Sequence, residues 1–356
     1  MDTKPDFERI RKTVRHEEAD RVPMLEVLVD YPIQSKFLGK EVRSDDLAAQ
    51  LEFWIKAGYD YIPLTVGMMS PGKVTEESAI SKVIKKHMLK DSEKNNANAW
   101  NLEHTHFIND RDDFERFPWD ILAKLDFGNF RAVKEMLPEK MKVIALSGKI
   151  FTLTWMLMGF NNFAAKLIIE EDLVADVFRK VAEIQFKCLE EIFKMPHVGG
   201  VWLVDDLAFG NGPMIAPAAF RKHVFPWYKE IARRCHENDR LVLLHTDGDL
   251  ALLMDDIIAI GTDVLHPIDP TCMDIVAVKK EYGDRLAIAG NVANELLRSA
   301  SPVEIEERVK YLIRHLAPGG GYMICSGNSV ADWSRFENYM AMRAAAFRYG
   351  VYPITL

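Results

Sequence analysis

His245 and Asp247 stand at the end of the apolar run LVLLHTDGD, residues 241–249. Side chains alternate along an extended strand, so positions 245 and 247 project to the same side and converge on one small volume. An imidazole and a carboxylate at that spacing suit metal ligation or general acid–base work. A thiol, Cys325, lies in a second apolar run, GYMICSGNSV. If both runs open on one mouth, His245, Asp247 and Cys325 form a nitrogen, oxygen and sulfur donor set. Such a set leaves a fourth position open, as catalytic rather than structural zinc requires. Each residue also has a plainer reading, since a lone histidine is commonly a hydrogen-bonded structural group and a free cysteine a small buried hydrophobe.

Other polar residues close other apolar runs. Asp205 and Asp206 follow VGGVWLV. Adjacent strand residues face opposite ways, so one contacts the site and the other caps a loop or a neighbouring backbone. His266 precedes Pro267 and reads either as a site group or as a residue bonding a backbone carbonyl. Asn291 and Asn328 lie beside glycines and read equally as ligand contacts or turn residues. Met68, Met69, Trp155, Met156, Met158 and Phe160 read as ordinary core or as the wall of an apolar pocket.

These residues need a scaffold that brings distant strand ends together. Strand-like runs occur at 21–29, 59–67, 141–151, 198–208, 241–249, 263–270, 285–292 and 321–330, and helical patterns separate most of them. The helices are expected at 5–18, 45–58, across 152–194 as two segments, at 216–238 with an interruption at Pro226, and at 249–261, 273–283 and 301–320. The last opens with a capping box, Ser301 with Glu304, and Pro302 at its first turn. Eight strands alternating with helices in 356 residues predict an α/β fold, a single (β/α)8 TIM barrel spanning 1–356. No GxGxxG follows a strand, which argues against a dinucleotide fold. The polar stretch 70–119 is too long for an ordinary connection and reads as an irregular insertion of short hairpin strands. The polar residues above all fall at C-terminal strand ends, the face of a barrel that carries active sites.

Composition narrows the partners. The net charge of −8, with no basic cluster, argues against nucleic acid. No apolar run reaches the roughly 18 residues of a membrane span, and the charged N-terminus has no apolar signal core, so a cytoplasmic location is expected. The four cysteines, 188, 235, 272 and 325, form no CxxC pair and predict no disulfide framework, with Cys188 assigned to a helix core. Oligomeric state stays open between monomer and homodimer.

The order DRVP, GYDYIP, VDDLAFGNGPMIAPAAFRKHVFPWYKEI, LHTDGDL, IGTDVLHPIDP, YGDRLAIAGNV and APGGGYMICSGNSV resembles the uroporphyrinogen decarboxylase superfamily over nearly the whole chain outside 70–119. That resemblance implies a (β/α)8 barrel and one of two activities. The decarboxylases would carry an arginine-bearing loop after Arg21 and Pro23, where this chain has MLEVLVDYPI with Glu26 and Asp30. Their catalytic aspartate falls here in IPLTVG, and the histidine of their GHG motif aligns with Asn328. The cobamide-dependent methyltransferases carry zinc on His-x-Cys and a later Cys. This chain keeps His245 and Cys325 and has Asp247 in the middle position. The resemblance therefore implies a zinc-dependent methyltransferase acting between a small methyl donor, such as a methoxylated aromatic, and a corrinoid (cobalamin) on a partner protein. The alternative is a decarboxylase or a tetrapyrrole-binding barrel. On this reading His245, Asp247 and Cys325 hold the metal, Asp206 and Asn328 act in catalysis, and Glu26, Trp155, Met156, His266 and Asn291 contact substrate.

Overall fold

The computed structural model describes residues 4–66, 107–123 and 125–356. Its centre is a sheet of seven parallel strands. They are β1 (Tyr61–Thr65), β2 (Lys142–Ser147), β3 (Val198–Val204), β6 (Leu241–His245), β7 (Val264–His266), β8 (Ala287–Val292) and β9 (Tyr322–Ser326), neighbouring one another in that order. A small antiparallel hairpin, β4 (Ala208–Phe209) with β5 (Gly212–Pro213), follows β3. β3, β8 and β9 are buried at every position, as strands covered on both faces must be, which explains their largely apolar sequences and the full hydrogen bonding of the buried Asn291 and Ser326.

The eighth stave departs from the expected strand at 21–29. It makes single bridges, Met24 with Ile324 and Val29 with Val330, rather than a ladder. Pro23 has no N–H to donate, so its carbonyl takes Ile324 N at 3.0 Å while Leu25 N reaches Ile324 O at 3.0 Å. Toward β1 a side chain replaces the ladder. The Tyr61 hydroxyl accepts from Glu26 N at 2.7 Å and donates to Glu26 O at 2.6 Å, closing the barrel at this seam.

Helices cover the outside. The capping box at Ser301 is present, with Ser301 N donating to Glu304 Oε2 at 2.7 Å and Pro302 opening the helix Pro302–Leu316. The apolar stretch after β2 forms three helices rather than two, Ile150–Met158, Phe160–Ile169 and Glu171–Phe193. Gly159 at φ 72° breaks the first from the second. The expected interruption falls at Val224, between Pro217–His223 and Phe225–Glu237, with Pro226 in the first turn of the second helix. The helix expected at 249–261 is confined to Met254–Ala259.

Of the insertion at 70–119, residues 70–106 lie outside the described residues, as do Met68 and Met69. The described end is helical, not hairpin strand. Asp110 caps Arg111–Arg116 by accepting from Asp113 N at 2.9 Å, so a polar sequence is organised locally by side-chain capping. The helix Phe336–Tyr349 has no counterpart in the sequence reading. Among the described residues no helix is long and apolar enough to cross a membrane.

Candidate metal centre

β3 and β6 pair with Val204 opposite His245, so the chain leaves the barrel beside itself at these two ends. Asp205 N donates to His245 O at 3.0 Å and fixes the exit. The side chain of Asp205 turns away from the mouth. It accepts from Phe151 N and Thr152 N, both at 2.7 Å, and from the Tyr228 hydroxyl, so it anchors the first turn of Ile150–Met158. Burial pushes its pKa up to about 6. Asp206 takes the other role and stays exposed at the mouth. Its Oδ1 accepts from Asp247 N at 3.2 Å and lies 4.0 Å from His245 Nε2.

Asp206, His245 and Asp247 each offer one ligand atom, and these atoms lie within 4.8 Å of one another. Asp247 Oδ2 accepts from the Asn328 amide, while Oδ1 is buried with no partner. Burial, and then the charges of Asp206 and Asp269, push the Asp247 pKa up to about 7. A buried oxygen without a donor, facing two further carboxylates, is a place where a cation relieves both desolvation and repulsion. Two carboxylates and one imidazole fit zinc, and equally other first-row divalent ions, with coordination positions left for substrate.

The turn that carries Asp247 is held from two sides. Gly248 adopts φ +92°, and a Cβ there would meet Phe209 O at 2.6 Å, so the hairpin β4–β5 closes on the turn only over a glycine. Asp249 N donates to Phe209 O at 2.9 Å, and Gly248 N reaches Asp269 Oδ2 at 3.2 Å.

The structure does not bring Cys325 into this group. Cys325 lies inside the β8–β9 ladder opposite Asn291, whereas the acidic members stand on turns beyond strand ends. Burial, and then the Glu26 charge, hold its thiol well above the ordinary range. Among the described residues the ligand atoms that converge are those of Asp206, His245 and Asp247, a group that could hold a metal ion and that does not include Cys325.

The expected substrate residues are scattered. Glu26 is fully buried and accepts from Ser326 N at 2.7 Å and Ser326 Oγ at 2.6 Å, and burial pushes its pKa up to about 8. Asn291 has both ends of its amide engaged, donating to Ile268 O at 2.8 Å and accepting from Arg308 at 3.0 Å. Both side chains are taken up by bonds to neighbouring elements of the barrel. His266 is fully buried against His245. Asn328 does reach the centre, through Asp247. Trp155 and Met156 are half-buried on Ile150–Met158. Trp155 meets the Phe160 edge at 5.8 Å, and Phe160 meets the exposed Phe209 at 6.1 Å. Burial lowers the His245 pKa, and Lys149, in the turn after β2, lies close enough to add to that lowering. Nothing in its local sequence marks it, because its place depends on how β2 sits beside β3.

A parallel barrel with its ionisable residues at the C-terminal mouth matches a family. Residues 106–349 match the family model described as uroporphyrinogen decarboxylase (URO-D), and the chain belongs to that family. Among solved structures it is similar to a methyltransferase from Methanosarcina mazei, at 16% identity over 96% of this chain and 98% of that one, with a TM-score of 0.66. No curated protein matches.

Proposed function

We propose that this protein is a zinc-dependent methyltransferase that moves a methyl group between a small methyl donor, such as a methoxylated aromatic, and a corrinoid carried by a partner protein. The observation that carries the reading is the Asp206, His245 and Asp247 group at the barrel mouth, with Asp247 Oδ1 buried and unpartnered. Zinc held there supplies a Lewis acid that stabilises charge on the oxygen from which the methyl group departs. The protein's own residues set the rest. Asn328 fixes Asp247 from one side, and Asp206 braces it from the other through the backbone N–H. Trp155, Phe160 and Phe209 offer an apolar flank to a methoxylated ring. Lys149 offers a positive charge to an acidic substituent on it.

The similarity to an archaeal methyltransferase supports this branch of the family. A cluster of carboxylates at the mouth weighs against decarboxylation of a polyanionic tetrapyrrole, since like charges repel where burial lowers the dielectric. The test is to incubate the zinc-loaded protein with cob(I)alamin and a panel of methoxylated aromatics and follow methylcobalamin by absorbance. Methylcobalamin formation that depends on zinc and on His245 is expected. Conversion of uroporphyrinogen to coproporphyrinogen, with no methyl transfer, overturns the reading.

A further inference from the structure

His266 is completely buried at the end of β7, in register with His245 at the end of β6. The two rings are tilted by 32° with centroids 5.0 Å apart, and their Nδ1 atoms are 2.9 Å from one another. Two nitrogens at that distance share one proton, because two N–H groups would collide and two lone pairs would repel. We propose that His266 is the positioning residue for His245, accepting a hydrogen bond from His245 Nδ1–H so that Nε2 presents its lone pair to the cation. The assignment rests on the metal-centre reading above.

The argument is one of counting protons. Nε2 of His245 is the nitrogen facing Asp206, at 4.0 Å, while Nδ1 is engaged with His266. A neutral imidazole that gives its Nε2 lone pair to a cation carries its proton on Nδ1. The Nδ1 of His266 is then the acceptor, and His266 carries its own proton on Nε2. That nitrogen is buried without a hydrogen-bond partner, in a ring standing at 86° to Trp202 with centroids 5.0 Å apart. The reverse arrangement puts a proton on His245 Nε2, aimed at Asp206, and blocks the ligand position. Metal-binding histidines ordinarily give their second N–H to a carboxylate or a carbonyl. Here the neighbouring strand supplies a histidine, and the β6–β7 register is what brings it into line.

The test titrates zinc chloride into the full chain after chelator treatment, by calorimetry, for the wild type, His266→Phe and His266→Asn. Phenylalanine keeps the ring against Trp202 and removes the acceptor. Asparagine keeps an oxygen near the place of Nδ1. His266→Phe is expected to weaken zinc binding by about 10- to 100-fold, and His266→Asn to recover most of it. Nitrogen-15 NMR of the zinc-loaded wild type, which needs no variant to fold, is expected to show His245 protonated at Nδ1. Equal affinity in wild type and a folded His266→Phe, or a zinc-bound His245 protonated at Nε2, overturns the proposal alone. A wild type that binds no zinc removes the metal centre and this proposal with it.

Discussion

The side-chain amide of Asn328, in the turn after β9, donates to Asp247 Oδ2 across the barrel mouth and leaves Oδ1 of the same carboxylate buried and unpartnered. One oxygen is held by protein and the other is available to a cation. Asn328→Ala removes the donor and leaves both oxygens unpartnered, which raises the Asp247 pKa above its present value of about 7. Zinc affinity at neutral pH is expected to fall by about 10-fold or more, with the fold retained. A competition titration against a chromogenic chelator measures it, and unchanged affinity would show that Asn328 has no part in the centre.

Glu26 sets a pH dependence of its own. Its pKa is raised by burial from 4.5 to about 8 in the folded chain, so the folded state holds this proton more tightly than the unfolded state. The stabilisation is complete below the unfolded value, declines as pH rises, and is lost once pH passes about 8. The slope approaches 1.4 kcal/mol per pH unit between those limits. Glu26→Gln is expected to flatten this part of a denaturation profile taken from pH 5 to 9. A wild-type profile already flat there would contradict the assignment.

Much of the barrel was legible because its signals are local. The largely apolar runs of β3, β8 and β9, the Ser301 capping box and the glycine three residues after His245 each announce a structure within a few residues. The first stave misled because residues 21–29 form a nearly continuous apolar run like that of a buried strand, while Pro23 and the Tyr61 hydroxyl take over its pairing. The choice between Asp205 and Asp206 was open in the sequence and is decided by Phe151, Thr152 and Tyr228, donors from distant elements. Cys325 was favoured by its type and by resemblance. Its depth in the ladder is a matter of register, which spacing along one chain does not encode.

Trp155 lies half-buried against Phe160, beside the hairpin that carries Phe209. Trp155→Ala is expected to raise KM for the methyl donor several-fold while zinc content stays as in wild type. If the Tm falls and KM for the folded enzyme is unchanged, the tryptophan is packing and not pocket.

Gly248→Ala places a Cβ 2.6 Å from Phe209 O in a backbone at φ +92°. Strain of about 1–3 kcal/mol is expected, seen as a lower denaturation midpoint. The turn bearing Asp247 shifts with it, so zinc affinity falls in parallel. Wild-type stability in this variant would mean that the hairpin does not rest on the turn.

The central claim is that Asp206, His245 and Asp247 hold the cation. Calorimetric titration of chelator-treated protein with zinc tests it directly, across Asp206→Asn, His245→Ala, Asp247→Asn and Cys325→Ala. One zinc per chain is expected in wild type and in Cys325→Ala, with binding severely weakened in each of the other three. Loss of zinc in Cys325→Ala with Asp206→Asn unaffected, or no zinc bound by the wild type, would contradict the account.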